Sequence, residues 1–245
     1  MADPLAAKYV LPFVGARELL HNGKRWCLWL ENANPKDIEE SAILKQRTTA
    51  VKEFRSESKA ASTREFARFP SLFRQRAKQS VPYLCIPRHV SETRDYFTVA
   101  RFDPEVIAGD ANFVLPDPEG LQFALISSSM FITWQKTIGG RIKSDLRFGS
   151  TLTWYTFPVP ELDEEARQRI IKAGKKVLDA RALHPERSLA EHYSPLAMAP
   201  ELVKAHNVLD REVDKAFGAP RKLTTERQRQ ELLFANYEKL IAHQP

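Results

Sequence analysis

The stretch from residue 83 to residue 115 decides the fold class of this 245-residue chain. It contains three short apolar runs, YLCIP at Tyr83–Pro87, YFTVARF at Tyr96–Phe102 and NFVL at Asn112–Leu115. Each run is rich in aromatic and β-branched residues and is bounded by proline, aspartate or glycine, which is the pattern of a β-strand. The same pattern predicts three further strands, at Lys8–Val14, Arg25–Leu30 and Thr151–Phe157, the first two separated by a turn at residues 21–23.

Helical patterns lie between and after these strands. The pair Asn34-Pro35 has the form of a helix start and predicts a helix to about residue 55, and Leu121–Thr137 also has helical length. Three more helix starts follow at Pro160, Pro200 and Thr225. The predicted fold is therefore α+β: a mixed, mostly antiparallel sheet with flanking helices over residues 1–158, then a helical C-terminal region over residues 159–245.

The apolar spacing of the last two helices predicts which side chains they bury. The helix from Pro200 is expected to bury Leu202, His206, Leu209, Val213 and Phe217, and the helix from Thr225 is expected to bury Leu232, Leu233, Tyr237, Leu240 and Ile241. A histidine on such an apolar face is interpreted as a core residue rather than a catalytic base.

Positive charge is concentrated in one fifth of the chain. The formal net charge is +6, and the segment from Lys45 to Arg94 alone carries twelve basic and four acidic side chains, a net charge of +8. Such a cluster favours a surface that binds a polyanion, because neutralised phosphates release their condensed counterions. The alternative is a solvated helix face. The cluster is rich in arginine, which pairs bidentately with phosphates and guanine edges, and this favours nucleic acid.

The common catalytic motifs are absent from the sequence. There is no glycine-rich cofactor turn, no polar-Pro-Pro-aromatic loop, and no GxxxxGK[ST], HExxH or GxSxG motif. The nearest imitation, Asn32-Ala33-Asn34-Pro35, is better explained as a helix start. Cys27 and Cys85 lack a partner at metal-ligand spacing and are expected to be buried free thiols. We therefore expect binding without catalysis and no metal site. Without a secretory signal or a membrane-spanning segment, a cytoplasmic location is expected.

Several strings in order along the chain resemble one family. They are IPRHVSETRDY at Ile86–Tyr96, FALISSSM at Phe123–Met130, GRIKSD at Gly140–Asp145 and FPVP at Phe157–Pro160. Together they resemble the MmeI-like (type IIL) restriction-modification DNA methyltransferases, and the resemblance extends over nearly all of the chain. It corresponds to the C-terminal third of that family, so the chain looks like an excised fragment or a split subunit.

The resemblance implies a DNA target recognition domain followed by a helical tail. In that family a single long polypeptide carries a nuclease, a connector, an adenine-N6 methylase that uses S-adenosylmethionine, and this recognition module. The implied partners are double-stranded DNA and the methyltransferase catalytic domain of the parent protein. No cofactor is expected in this chain, and S-adenosylmethionine is expected in the parent enzyme.

The resemblance also implies where DNA is contacted. The base-reading candidates are Arg88, Ser91, Glu92 and Arg94 at the Ser-Glu-x-Arg motif and Ser58, Lys59, Ala60 and Ser62 at a second position. The phosphate-binding candidates are Arg64, Arg141, Lys143, Ser144 and Arg147. The last four follow the glycine pair Gly139-Gly140, which would let the backbone approach a phosphate closely. Glutamate can accept from cytosine N4 and arginine can donate in pairs to guanine.

Each assignment has a structural alternative. Glu92 and Arg94 could form a salt bridge, and residues 141–147 could be an ordinary basic turn. The motifs also depart from the family pattern, so they do not predict which DNA sequence is recognised. Two rival functions remain: an enzyme that itself cuts or modifies DNA, and an interaction adaptor with a basic docking face.

Overall fold

The computed structural model describes residues 3–76 and 78–242, and within these ranges helices and strands alternate irregularly. The strands are β1 (Val10–Val14), β2 (Trp26–Leu28), β3 (Tyr83–Pro87), β4 (His89–Val90), β5 (Ala100–Phe102), β6 (Ile107–Ala108), β7 (Asn112–Pro116), β8 (Gly140–Ile142) and β9 (Asp145–Arg147). The helices are α1 (Pro4–Ala7), α2 (Ala16–His21), α3 (Pro35–Glu40), α4 (Ala42–Ser56), α5 (Ala61–Glu65), α6 (Leu121–Ile126), α7 (Ser129–Ile138), α8 (Glu164–Ala182), α9 (Leu189–His192), α10 (Pro200–Ala216) and α11 (Glu226–Ala242). A π-helical turn spans Ser150–Trp154. The α+β class is confirmed.

The chain divides into two compact units, neither of which is continuous in sequence. The first unit comprises Met1–Val14, Lys24–Lys78 and Glu105–Asp110, and the second comprises Gly15–Gly23, Gln79–Pro104 and Ala111–Pro245. Within the described ranges the strands form three separate three-stranded sheets, β2-β1-β6, β5-β3-β7 and β4-β9-β8, where a single sheet was expected. All strand pairs are antiparallel except β1 with β6. The predicted division after residue 158 stays a prediction.

Two helices of the first unit occupy the segment in which one was predicted. Asn34 caps α3 as expected, since its side chain accepts from the Lys36 amide at 3.0 Å. At Ser41 the backbone turns to an extended conformation and the Ser41 hydroxyl caps α4. The same hydroxyl donates to the Asp3 carboxylate at 2.6 Å. The prediction of one helix to residue 55 was wrong, because this distant carboxylate holds the break.

Strand β3 is the centre of the second unit. Tyr83 to Ile86 are 0–1% exposed, and β3 pairs with β5 on one side and with β7 on the other. A strand buried on both faces needs the continuous apolar run that the sequence has here. Burial raises the pKa of the Cys85 thiol to about 12, so Cys85 is an inert core thiol as predicted. Cys27 is only half-buried, contrary to expectation.

The predicted segment boundaries were wrong at several places in the second unit. Only Ala100–Phe102 of the run from Tyr96 forms a strand. The expected single helix 121–137 is α6 and α7, separated by the cap residue Ser128. Helix α8 starts after Asp163, whose carboxylate accepts from the Ala166 amide, and not at Pro160. Helix α2 was not predicted.

The helices of the C-terminal region bury an apolar face against one another. Helix α8 packs against α10 and α6. A Cβ atom at Gly174 would lie 2.6 Å from the Ala124 side chain, so this close approach of α8 to α6 requires glycine. All five side chains expected to be buried on α10 are buried. On α11 Leu233 is buried, but Leu240 and Ile241 are exposed, contrary to prediction.

A buried polar network joins α8, α9 and α10. The Arg181 guanidinium donates to the Val99 carbonyl at 2.8 Å and, through Nε, to the Tyr193 hydroxyl at 2.9 Å. That hydroxyl lies 2.8 Å from Nε2 of His206. Because a guanidinium can only donate, the hydroxyl proton of Tyr193 is left for His206. His206 is therefore a hydrogen-bonded core residue, as predicted.

A second part of the network begins at Tyr96. Its ring stacks on the His206 ring with centroids 3.7 Å apart, and its hydroxyl donates to Asp210 at 3.3 Å. Asp210 also accepts from the amide of Ser129 at 2.7 Å. Burial raises the pKa of Asp210 to about 6, whereas burial, with the nearby charge of Arg181, lowers the pKa of His206 well below its ordinary value.

The network predicts a dependence of stability on pH. As the pH falls through about 6.5, unfolded chains take up a proton at residue 206 while the folded chain does not, so the free energy of unfolding falls by up to about 1.4 kcal/mol per pH unit. His192, whose pKa burial also lowers, acts in the same direction. Asp210 opposes both below pH 6, because the folded state protonates first. Chemical denaturation at pH 7.5, 6.5 and 5.5 measures the slope.

The variant His206→Gln is the control for this slope. It should unfold more easily at pH 7.5, because the stacked, hydrogen-bonded ring is lost, and its stability should fall less as the pH is lowered. An equal slope in both proteins would show that residue 206 does not titrate in this way.

Candidate nucleic-acid interface

The sheet β4-β9-β8 carries or adjoins the predicted contact residues of the second unit. Strands β8 and β9 form a hairpin whose corner is Lys143 and Ser144, with Lys143 in a left-handed conformation at φ 54°. Along β9, Leu146 is buried and Arg147 is exposed, as the alternation of a half-buried strand requires. Strand β4 pairs with β9 so that His89 lies opposite Arg147. This pairing places the Ser-Glu-x-Arg motif, which follows β4, next to the hairpin.

Helix α7 anchors the hairpin from behind. The buried Gln135 side chain donates to the Arg147 carbonyl at 3.0 Å. A Cβ atom at Gly139 would lie 1.9 Å from the Gln135 side chain and 2.4 Å from its carbonyl oxygen. Only glycine therefore fits where α7 passes into β8. Gly139, the first glycine of the pair predicted to approach a phosphate, is therefore required by packing against Gln135.

Residues 91–94 form a compact exposed turn. The Arg94 amide donates to the Ser91 carbonyl at 3.1 Å, and the Ser91 and Thr93 hydroxyls lie 3.0 Å apart. Glu92 and Thr93 occupy the corner of the turn and are exposed. Because the turn is closed by its own hydrogen bonds, it presents the Glu92 side chain from a defined backbone. Ser91, in contrast, is partly used to hold the turn.

Glu92 and Arg141 form an ion pair. The Arg141 guanidinium donates to the Glu92 carboxylate at 2.9 Å and to the Ser144 carbonyl at 3.0 Å. The predicted base reader and the predicted phosphate clamp are thus each other's partner. Both side chains are more than 40% exposed, at 46% and 42%, so the pair contributes at most about 1 kcal/mol. The structure shows a salt bridge at Glu92, but with Arg141 and not with Arg94.

Arg94 is attached to the C-terminal region. Its guanidinium donates to the carbonyl of Ala190 on α9 at 2.9 Å. The side chain is half-buried, and burial lowers its pKa from the ordinary value. A charged donor on a partly buried carbonyl is a strong hydrogen bond. In this conformation Arg94 holds the turn against α9.

Arg88 and Arg147 flank an open groove of about 350 Å³. Arg88 lies 5.9 Å above the ring of Phe113, and both guanidinium-bearing side chains are exposed. Of the described residues that line the groove, none is acidic. The lining of the groove therefore combines positive charge with aromatic side chains.

The remaining predicted contacts belong to the first unit, in α5 and the loop that precedes it. Arg64 of α5 donates to the carbonyls of Ser58 and Lys59 at 2.8 and 2.9 Å, which closes the loop. Lys59 and Ala60 on the loop and Ser62 on α5 are exposed. Arg64, predicted to bind phosphate, is engaged with its own loop, whereas the three exposed residues remain available for a ligand.

The first unit contains a pocket of about 630 Å³ that was not predicted from the sequence. Arg25, Trp26 and Arg47 are among the residues that line it, and Trp26 is 57% exposed. Arg55 forms part of its wall and donates to the carbonyls of Phe69 and Leu72 at 2.7 and 2.8 Å. The adjacent Arg25 and Trp26 were the signal in the sequence, but they were predicted only as part of a strand.

In residues 3–76 and 78–242, no cluster of three or more His, Cys, Asp or Glu side chains is arranged to hold a metal ion. No helix within those ranges combines the length and apolar character needed to cross a membrane.

Comparison with known proteins decides the family. Residues 1–161 match the model of the MmeI target recognition domain, and residues 162–243 match the model of the MmeI C-terminal domain. The chain belongs to the MmeI family. The resemblance inferred from the motifs is confirmed.

Two relatives of this MmeI-family chain are much longer than it is. DNA methyltransferase A of Bacillus subtilis (strain 168) is 30% identical over 237 residues, which are 97% of this chain and 27% of the relative. A solved structure of the type IIL restriction-modification enzyme MmeI in complex with DNA superposes with a TM-score of 0.91 and 36% identity. That match covers 98% of this chain and 32% of the MmeI chain. The chain thus spans about a third or less of the relatives it matches.

The different environments of Glu92 and Arg94 lead to a prediction about stability. Arg94→Ala should lower the free energy of unfolding by about 1–3 kcal/mol, because the Ala190 carbonyl loses a charged donor. Glu92→Ala should change it by no more than about 0.5 kcal/mol, because it breaks only an exposed pair. Urea denaturation of both variants measures this. Equal stability of the two would mean that Arg94 does not anchor the turn.

Proposed function

We propose that this chain is the sequence-specific DNA recognition module of an S-adenosylmethionine-dependent adenine-N6 DNA methyltransferase of a type II restriction-modification system. The observation that carries the proposal is the exposed turn 91–94 beside an arginine-flanked groove, within a chain that matches the MmeI target recognition domain over residues 1–161. The solved relative in complex with DNA supports the same ligand. The predicted cytoplasmic location stays a prediction, since it depends on this ligand.

The proposed role is positioning. Arginine side chains hold the sugar-phosphate backbone, and the turn 91–94 presents Glu92 to base edges in the major groove. Glu92 must leave Arg141 to accept from a base, and Arg141 can then pair with a phosphate. This exchange costs little, because an exposed ion pair contributes at most about 1 kcal/mol. The free chain keeps both groups neutralised until DNA replaces each partner.

Methyl transfer is assigned to a catalytic domain that acts together with this module. The segment with the closest likeness to the amine-binding loop of a methylase is Asn32–Pro35. It caps α3, with the Asn34 side chain bonded to the Lys36 amide. This segment therefore fits neither a flipped amine nor S-adenosylmethionine.

A binding experiment with a matched pair of variants tests the proposal. The purified chain is expected to bind random-sequence duplex DNA with an affinity that falls as salt is raised, and to enrich a defined sequence from a randomised duplex pool. Glu92→Gln should change the preference at one base position by about 1–3 kcal/mol. The control is Glu119→Gln, which removes another exposed carboxylate paired with an arginine at 2.8 Å.

The control should leave the preferred sequence unchanged. Because both variants remove one negative charge, any gain in non-specific affinity should be similar in the two. Binding that ignores sequence in every variant would favour the adaptor with a basic docking face. Cleavage or methylation of DNA by the isolated chain would favour the rival enzyme.

A further inference from the structure

The groove between Arg88 and Arg147 is also lined by the first three residues of the π-helical turn Ser150–Trp154. We propose that this groove holds one phosphate of the DNA backbone and that Leu152 packs against the adjoining deoxyribose. The inference rests on the proposed DNA-recognition function and adds to it a contact site other than the turn 91–94. It also changes the role of Arg88 from base reading to phosphate binding.

The charge and donors of the groove suit a phosphodiester. Two arginines, Arg88 and Arg147, and two residues with hydroxyl groups, Ser150 and Thr151, line the groove. Guanidinium groups match phosphate oxygens bidentately, and hydroxyls are common partners of DNA phosphates. The described lining residues include no carboxylate that would repel the phosphate.

The π-helical turn is held in place from inside the second unit. The buried Thr153 hydroxyl donates to the Gly149 carbonyl at 2.7 Å and accepts from the Gly149 amide at 3.2 Å. Trp154 packs edge-on against Phe131, with centroids 6.1 Å apart. These contacts explain why a strand predicted over Thr151–Phe157 was wrong. They also mean that the exposed side chains of the turn project from a fixed backbone.

Two large apolar side chains are exposed in and directly after this turn. Leu152 is 51% exposed and lines the groove, and Tyr155, next along the chain after the turn, is 77% exposed. A fixed backbone that directs a leucine into solvent beside two arginines suits a ligand with an apolar part next to an anion. Deoxyribose next to phosphate has that composition, whereas free phosphate has no apolar part for Leu152 to cover. Short π-helical segments occur frequently at functional sites.

Single substitutions in the whole chain separate the parts of this site. Binding to random-sequence duplex DNA is measured between 50 and 300 mM potassium chloride. Arg147→Ala and Arg88→Ala should each weaken binding on the order of 10-fold and reduce the slope of log affinity against log salt by about 0.9. Leu152→Ala should weaken binding about 3-fold without changing the slope, because it removes contact area and no charge. All three losses should be the same for every DNA sequence.

The matched control is Arg227→Ala on α11. Arg227 is also exposed, and it pairs with Glu231 one turn away on the same helix. Arg227→Ala lowers the net charge by the same amount as the test variants. It should leave the slope of log affinity against log salt unchanged and change the affinity by no more than about 2-fold. Thermal unfolding of each variant checks that the fold is retained.

The outcomes distinguish this site from the proposed function. Salt-dependent binding that is unchanged by Arg147→Ala and Arg88→Ala would overturn the groove and leave DNA recognition standing. A loss in Arg88→Ala that depends on the DNA sequence would return Arg88 to base reading. No duplex binding by the unchanged chain at 50 mM salt would overturn both proposals.

A crosslinking experiment gives a test that does not depend on affinity. Thr151→Cys should form a disulfide with a duplex that carries a thiol tethered to a backbone phosphate, and Lys175→Cys on the exposed side of α8 should not. The unchanged chain, with Cys27 and Cys85, measures the background. Equal crosslinking of both engineered positions would contradict the site.

Discussion

The buried guanidinium of Arg181 is the constraint on which much of the second unit depends. Arginine keeps its charge inside proteins, so a buried guanidinium needs hydrogen-bond partners from the surrounding structure. Here Nε and one terminal nitrogen donate to the Tyr193 hydroxyl, the other terminal nitrogen donates to the Val99 carbonyl, and the charge lies 5.1 Å above the Phe123 ring. Tyr193 in turn bonds His206 on α10. One charge therefore requires α8, the end of α9, α10 and the backbone before β5 to meet at one place. Loss of any of these partners would leave a buried charge without solvation.

The same arrangement supports the proposed recognition turn. The chain that leaves the turn 91–94 is attached twice to the helical C-terminal region, first by Arg94 on the Ala190 carbonyl and then by the Tyr96 ring on His206. The C-terminal helices are therefore a support for the turn and not a separate appendage. This gives a physical reason why the target recognition and C-terminal domains of the MmeI family occur together in this chain. A base-reading side chain needs a backbone that stays in place when its partner changes.

The arginines of the basic segment serve two purposes. Arg55, Arg64 and Arg94 each donate to backbone carbonyls and so hold loops. Arg88, from the same segment, lines an open groove together with Arg147 of β9. The net charge of a segment therefore does not tell how many of its side chains face a ligand, because guanidinium groups also organise irregular backbone that has few regular hydrogen bonds. The positively charged surface open to a ligand is smaller than the composition suggests.

The sequence by itself determined the local features of this protein. The continuous apolar run at Tyr83–Pro87 specified a doubly buried strand, and the capping box from Thr225 to Gln228 specified the start of α11, because both depend on residues that are neighbours in the chain. The motif strings specified the family. Only the tertiary structure decided that Ser41 breaks a helix, through a carboxylate 38 residues away, and that Glu92 pairs with an arginine 49 residues away. Such partners meet only after the chain has folded, so periodicity and spacing carry no record of them.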